Sequence, residues 1–271
     1  MAGSAGPTPP LVVWVTGAAR GIGRSMAVQA ATGGARVFLT DIDERQVNEA
    51  AEAITGRGLQ AGALPCDVTD ERGVGSVVSR IAQQAGRLDV VINNAGLVQV
   101  DEILDLAPQT WRRVFDVNVH GTFLTGQTSA RQMIRQEPHP ATQRRGLILN
   151  VGSAAAEAGR PRLAAYGASK AAVRHLTMNL ADALRDQLVA CALLYPGMVV
   201  DGMYHQILAA EAAMDGRGLD ELTAERARSA PSGGYQSPDD IGTMVARFIA
   251  TPGMSISRQV LWTAPHSDLL R

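Results

Sequence analysis

Seven short apolar runs, each followed by a stretch of helical length, restrict this chain to few folds. The runs cover residues 11–16, 35–40, 60–64, 89–92, 146–151, 189–194 and about 257–263. Most are apolar throughout and do not alternate, the pattern of strands buried on both faces of a parallel sheet. Between them lie helical segments near 22–33, 43–55, 70–86, 108–136, 163–187 and 239–250. Alanine-rich stretches at 25–31 and 49–54 favour helix. Asp43, Thr69 and Ser237 with Pro238 suit helix starts. Strand and helix alternate through tight connections, which predicts right-handed crossovers and an α/β, doubly wound Rossmann-type sheet.

No internal repeat and no Pro/Gly/Ser linker divides the chain, so residues 11–271 read as a single domain. Residues 1–10 are small residues and prolines and read as a disordered tail, lacking the basic and apolar regions of a secretory signal. The polar stretch 137–145 reads as an exposed loop, and 198–236, with weak helical periodicity, as a lid or substrate loop. Hydrophobic residues make up 46% of the 271, enough for a sizeable core, and the net charge is −1. That balance exerts no long-range pull on nucleic acid or an anionic membrane. The expected partner is a small molecule or a second copy. Two cysteines, Cys66 and Cys191, are too few for a disulfide framework and read as reduced, buried thiols of a cytoplasmic protein. No His/Cys/Asp cluster has metal-ligand spacing, so no catalytic metal is expected.

The first strand runs into Thr16-Gly17-Ala18-Ala19-Arg20-Gly21-Ile22-Gly23 and then a helix. Glycines there permit a tight turn and close approach of a pyrophosphate. The helix N-terminus offers free N–H groups to the phosphates. Asp41, with Ile42 beside it, closes the second strand, where a carboxylate accepts hydrogen bonds from an adenosine ribose and repels a 2′-phosphate. That favours NAD. Arg20 pulls toward NADP, because a cation in the turn pairs with a 2′-phosphate. Asp41 also suits an N-cap for the helix starting near 43. Asp67-Val68, past the third strand, fits either an adenine contact or a plain turn. Asn93-Asn94-Ala95-Gly96 follows the fourth strand and suits the floor of a cofactor cleft.

Tyr166-Gly167-Ala168-Ser169-Lys170 is the most chemically loaded segment. Tyrosine and lysine four apart share one helix face. A free phenol titrates near pH 10, too high for an effective base at neutrality. A neighbouring ammonium and an oxidised nicotinamide favour the phenolate, so that Tyr166 can exchange a proton with an alcohol or carbonyl oxygen as hydride moves. Lys170 can also hold the nicotinamide ribose. Ser153, at the end of the strand before it, can stabilise negative charge on the substrate oxygen.

Together these residues resemble the short-chain dehydrogenase/reductase family. The matching elements are TGAARGIG at 16–23, Asp41, Asp67-Val68, NNAG at 93–96, Asn118 in DVNVHG, Ser153, YGASK at 166–170 and Pro196-Gly197, in family order from about 11 to 262. The resemblance implies a seven-stranded parallel sheet and a Ser–Tyr–Lys site. It also implies that Asn118 holds a water in a relay to Lys170, and that Val199 contacts the nicotinamide through its backbone. Two departures stand out. Asp201 occupies the place of a threonine that contacts the nicotinamide carboxamide, which leaves open a nicotinamide-binding protein without turnover. The C-terminal run VLWTAPHSDLLR lacks the family's usual glycine turn. The segment from Met203 to Pro231 resembles the substrate loop of polyol, sorbitol and acetoin dehydrogenases. Larger ketones of secondary metabolism are the runner-up substrates. Ser153, Ala155, Arg160, Tyr166, Met198, Tyr204 and His205 are expected near the substrate. Family members pair through the helices near 108–136 and 163–187, which implies a homodimer or homotetramer.

Overall fold

The computed structural model describes residues 8–199, 202–230 and 234–263. The strands are β1 (Val12–Thr16), β2 (Arg36–Thr40), β3 (Ala61–Ala63), β4 (Val90–Asn93), β5 (Gly146–Val151), β6 (Val189–Tyr195) and β7 (Val260–Trp262). They form one sheet in the order β3-β2-β1-β4-β5-β6-β7, and every pairing is parallel. The helices are α1 (Gly21–Thr32), α2 (Glu44–Thr55), α3 (Glu71–Ala85), α4 (Pro108–Phe115), α5 (Thr122–Met133), α6 (Ala164–Ala183), α7 (Gly202–Asp215), α8 (Leu219–Arg228) and α9 (Pro238–Ala250). The strand order reverses between β1 and β4, and such a switch point opens a ligand crevice beyond the carboxyl ends of the strands.

The unbroken apolar strands have a direct cause in the packing. Val13, Val15, Val37 and Leu39 meet α1, α2 and α9 through Met26, Val47, Ile54 and Val245. Trp14, Phe38, Val91 and Ile148 meet α3, α5 and α6 through Val78, Leu124, Met133 and Ala181. Successive side chains still point to opposite faces, but both faces are core, so no alternation remains to be read. Trp14 is fully buried, and its indole N–H donates to Thr40 Oγ1 at 2.9 Å.

Local chemistry sets the helix starts. The Asp43 carboxylate accepts from the Gln46 N–H, which caps α2 and holds its pKa below the usual carboxylate value. Ser237 and Asp240 form a reciprocal capping box at α9. Thr69 does not open α3. Asp70 does, accepting from the Arg72 N–H, because Thr69 is captured by the preceding Asp67 through its own N–H and hydroxyl.

Three segments depart from the expectations. The stretch 108–136 is not one helix: α4 and α5 are separated by a π-helical stretch, Asp116–Gly121. The stretch 198–236 contains two real helices, α7 and α8. The stretch 137–145 is not simply an exposed loop, since His139, Thr142 and Arg144 are buried. The Arg144 guanidinium donates to the carbonyls of Ile249, Thr251 and Gly253. It thereby satisfies acceptors that the end of α9 leaves without intrahelical donors. Burial pushes this guanidinium down to about 10. Of the tail, residues 1–7 and its expected disorder there lie outside the described residues, while the Pro9 carbonyl sits 3.1 Å from His139 Nε2. Both cysteines are free and buried, and burial pushes Cys66 up to about 11 and Cys191 up to about 12.

Candidate active site

The glycine-rich turn sits at the switch point and is locked to β4 rather than held by its own sequence. Thr16 Oγ1 accepts from the N–H groups of Asn94 and Ala95, both at 3.0 Å. The Asn94 amide donates back to the carbonyls of Thr16 and Gly17 at 3.0 and 2.9 Å. Gly17 and Gly21 adopt φ of +61° and +57°, a region costly for side-chain-bearing residues. A Cβ on Gly23 would lie 2.3 Å from the Gly17 carbonyl oxygen. Arg20, at the N-cap of α1, makes no side-chain cap, so the first N–H groups of α1 face the turn with no side-chain acceptor from that position. This cradle fits a pyrophosphate.

Asp41 is placed at the rim of the turn. One of its oxygens accepts from the Ala19 N–H and the other from the Asp43 N–H, each at 3.2 Å. The helix cap is Asp43, so the N-cap alternative for Asp41 does not hold. Arg20 is exposed, and Ile42 is 75% exposed. Asp67 is exposed with one oxygen engaged by Thr69, whereas Val68 is buried under Gly121.

Tyr166 and Lys170 lie on one face of α6, with Lys170 Nζ 5.7 Å from the Tyr166 ring centre. Lys170 is the only lysine in the chain. Its ammonium donates to the Val151 carbonyl at 2.7 Å, and burial pushes it down to about 8. Ser153 follows the end of β5 and accepts from the Ala155 N–H at 3.1 Å. Asn118 is fully buried within the π-helical stretch. Its Oδ1 accepts from the Leu97 N–H at 2.7 Å, and its amide donates to the Leu97 carbonyl and to Ser169 Oγ, each at 2.9 Å. A Cβ on Gly96 would lie 3.5 Å from Asn118 Oδ1 and 3.7 Å from Lys170 Nζ. The amide oxygen and the ammonium therefore flank one spot.

Beyond β6, Pro196-Gly197 is pinned by the Gly197 N–H donating to Thr263 Oγ1 at 2.8 Å. Val199 is buried and bridges to Gln236, while Asp201 lies outside the described residues. The expected substrate residues divide. Met198 and Tyr204 meet, the Tyr204 hydroxyl donating to Met198 Sδ at 3.0 Å. Ala155 and Arg160 line a groove of about 620 Å³ beside α6, whose walls do not include Ser153 or Tyr166. His205 and Arg160 are exposed.

Sequence reading missed two parts of this frame. A buried chain of side-chain hydrogen bonds runs Thr125–Asn93–Asn150–Thr177 across β4 and β5. Its only signal was an isolated Asn in each of two apolar strands, with Thr125 and Thr177 on the helices packed against them. The Tyr195 hydroxyl also donates to Glu157 at 2.7 Å, tying the segment after β5 to the end of β6. Burial raises the Tyr195 phenol strongly.

The short chain dehydrogenase family model matches residues 11–212. The chain belongs to the short-chain dehydrogenase family. Galactitol 2-dehydrogenase of Agrobacterium fabrum is 35% identical to this short-chain dehydrogenase over 241 residues, covering 89% of this chain and 90% of that protein. L-2,3-butanediol dehydrogenase of Corynebacterium glutamicum is 30% identical over 252 residues, covering 92% and 95%. An NAD+-bound xylitol dehydrogenase superposes with a TM-score of 0.87 at 27% identity, over 95% of this chain and 98% of that one. An actinorhodin polyketide ketoreductase with NADPH gives 0.87 at 25% identity, over 95% and 97%. This short-chain dehydrogenase is an NAD(P)-dependent oxidoreductase acting on alcohol and ketone groups. Among its described residues no His/Cys/Asp/Glu group could hold a metal, and no helix is long and apolar enough to cross a membrane.

Proposed function

We propose that Tyr166 exchanges a proton with the oxygen of a secondary alcohol or ketone while hydride moves at the adjacent carbon. The single observation that carries this is the buried Lys170 ammonium 5.7 Å from the Tyr166 ring. A cation at that range favours the phenolate. In oxidation Tyr166 takes the hydroxyl proton, and in reduction it returns a proton to the carbonyl oxygen. Ser153 donates to the substrate oxygen as negative charge develops there. Lys170 would hold the ribose next to the nicotinamide. Asn118 fixes Leu97 and Ser169 and supplies the relay toward Lys170.

The nicotinamide dinucleotide supplies the hydride acceptor or donor. Gly17, Ala19, Arg20, Gly21, Ile22 and Gly23 would hold its pyrophosphate. Asp41 and Ile42 would hold the adenosine ribose, Asp67 and Val68 the adenine, and Asn94, Ala95 and Gly96 the cleft floor. Pro196, Gly197 and Val199 would hold the nicotinamide end. NAD is the preferred form, because the Asp41 carboxylate meets a 2′-phosphate with like charge.

The protein works as a homo-oligomer, paired through α4, α5 and α6. Support comes from a shallow hollow of about 510 Å³ lined by Phe115, Val119, Phe123 and Leu176. Trp111 and Phe123 stand 39% and 37% exposed on that side, a placement suited to a self-association face. Two free thiols support a cytoplasmic setting.

The deciding experiment follows nicotinamide absorbance with an alcohol and ketone panel. In Tyr166→Phe, kcat/KM should fall by about 10²- to 10⁴-fold, while calorimetric binding of NADH persists. Undiminished turnover in the variant would overturn the assignment.

A further inference from the structure

The surroundings of Tyr166 come from separate parts of the chain and share one character. Val98 and Val100 lie on the connection after β4, Leu163 in the turn before α6, and Ile207 on α7. These four side chains and Tyr166 form one buried apolar cluster, with Met203 and Tyr204 of α7 packed against it. Two of the polar groups on these elements are engaged by other partners. The Tyr204 hydroxyl is turned to Met198 Sδ, and Arg162 is ion-paired with Glu102 and Asp215 at 2.7 and 2.8 Å. His205 is exposed, as is Arg160 on the rim of the groove beside α6.

A polyhydroxylated substrate needs a hydrogen-bond partner for each hydroxyl it buries, since a hydroxyl that leaves water unpaired loses binding free energy. The side chains that close around Tyr166 from the β4 and α7 sides provide methyls and methylenes. We propose that the groups flanking the reacting carbon are apolar: the substrate is a ketone or secondary alcohol bearing alkyl or aryl substituents, not a chain of further hydroxyls. This rests on the hydride-transfer reading of the same site. It separates this chain from those relatives named for sugar alcohols, and it makes Val98, Val100 and Ile207 determinants of specificity.

The test compares 2-butanone, 2-hexanone and 2-octanone with hydroxyacetone, dihydroxyacetone and erythrulose, using the whole protein with NADH and with NADPH. Expected is a kcat/KM that rises about threefold to fourfold per added methylene over the first members. Each further hydroxyl should lower it by about 10- to 100-fold. Val98→Thr and Ile207→Gln should narrow that gap mainly through KM for the longer ketones. A polyhydroxylated ketone equal to or better than its alkyl counterpart overturns the proposal.

A second measurement does not depend on turnover. N-butyl-, N-hexyl- and N-octylformamide present a carbonyl that takes no hydride, and their binding to the NADH-loaded protein is read by calorimetry. Affinity rising along the series supports the apolar site even if no ketone is reduced, in which case the hydride-transfer reading alone fails. Flat affinity along the series overturns the apolar assignment while leaving catalysis intact.

Discussion

A lysine that is both buried and alone in its sequence can be measured directly. Lys170 is 4% exposed, and burial pushes its ammonium down to about 8. With lysine-only isotopic labelling the chain gives one lysine side-chain resonance, and its titration midpoint should fall near 8 instead of the ordinary ~10.4. The sign for stability follows from that shift. Between about pH 8 and 10.5 the folded chain binds fewer protons at this group than the unfolded chain. The penalty of burying the charge is therefore present at pH 7 and relieved as pH rises through that window. Lys170→Met should hold or raise the melting temperature at pH 7 and lose that alkaline gain. In activity the same variant removes the cation beside the phenol, so the pH profile of alcohol oxidation should move up by about 1–2 units. An unmoved profile would remove Lys170 from the proton chemistry. Asp41→Asn retains an oxygen to accept from Ala19 but drops the charge. The preference for NAD over NADP, taken as a ratio of kcat/KM values, should shrink by about 10- to 100-fold. Lys170 stood out because lysine occurs once in the chain, and Asp41 because it closes the second apolar run after the glycine turn. Arg160 and His205 stand exposed, and their position in the sequence alone carried no signal of that.

At the scale of elements, the glycine turn shows how one loop is held by another. Asn94, just past β4, donates into the turn, so the glycine turn and the connection after β4 are one hydrogen-bonded unit. Gly23→Ala would press a methyl onto the Gly17 carbonyl and the Asn94 amide. Overpacking of this kind costs about 1–3 kcal/mol, and if that strain falls on the bound turn, NADH affinity by calorimetry should fall by about 5- to 100-fold, since about 1.4 kcal/mol is a factor of ten. Unchanged affinity would show that the turn relaxes freely. The strands and their order of appearance were readable because most are continuous apolar runs. Boundaries were less so. Thr69 resembles a cap until Asp67 is seen to claim it. The break between α4 and α5 carries no proline within DVNVHG, and its one glycine, Gly121, was not enough to interrupt the helical pattern.

For the whole molecule, parallel topology followed from burial on both faces, but the fate of polar segments did not. Stretch 137–145 has loop composition, yet Arg144 is drawn inside by the carbonyls that end α9. Nothing in its own neighbourhood announces a partner more than a hundred residues away. Self-association is likewise a property of the surface as a whole. Phe123→Glu should place a charge on the proposed pairing face and shift the mass seen by light scattering toward the monomer, while the circular dichroism spectrum is retained. Oligomers that persist would relocate the interface. The π-helical stretch Asp116–Gly121 sets the rotational phase of everything after it. Each residue advances an α-helix by about 100°, so a chain shortened by one residue there would screw α5 around by that angle. Asn118 could then keep its grip on Leu97 or Thr125 its grip on Asn93, but not both. The wide turn is the gear that lets two successive helices each meet a differently oriented socket.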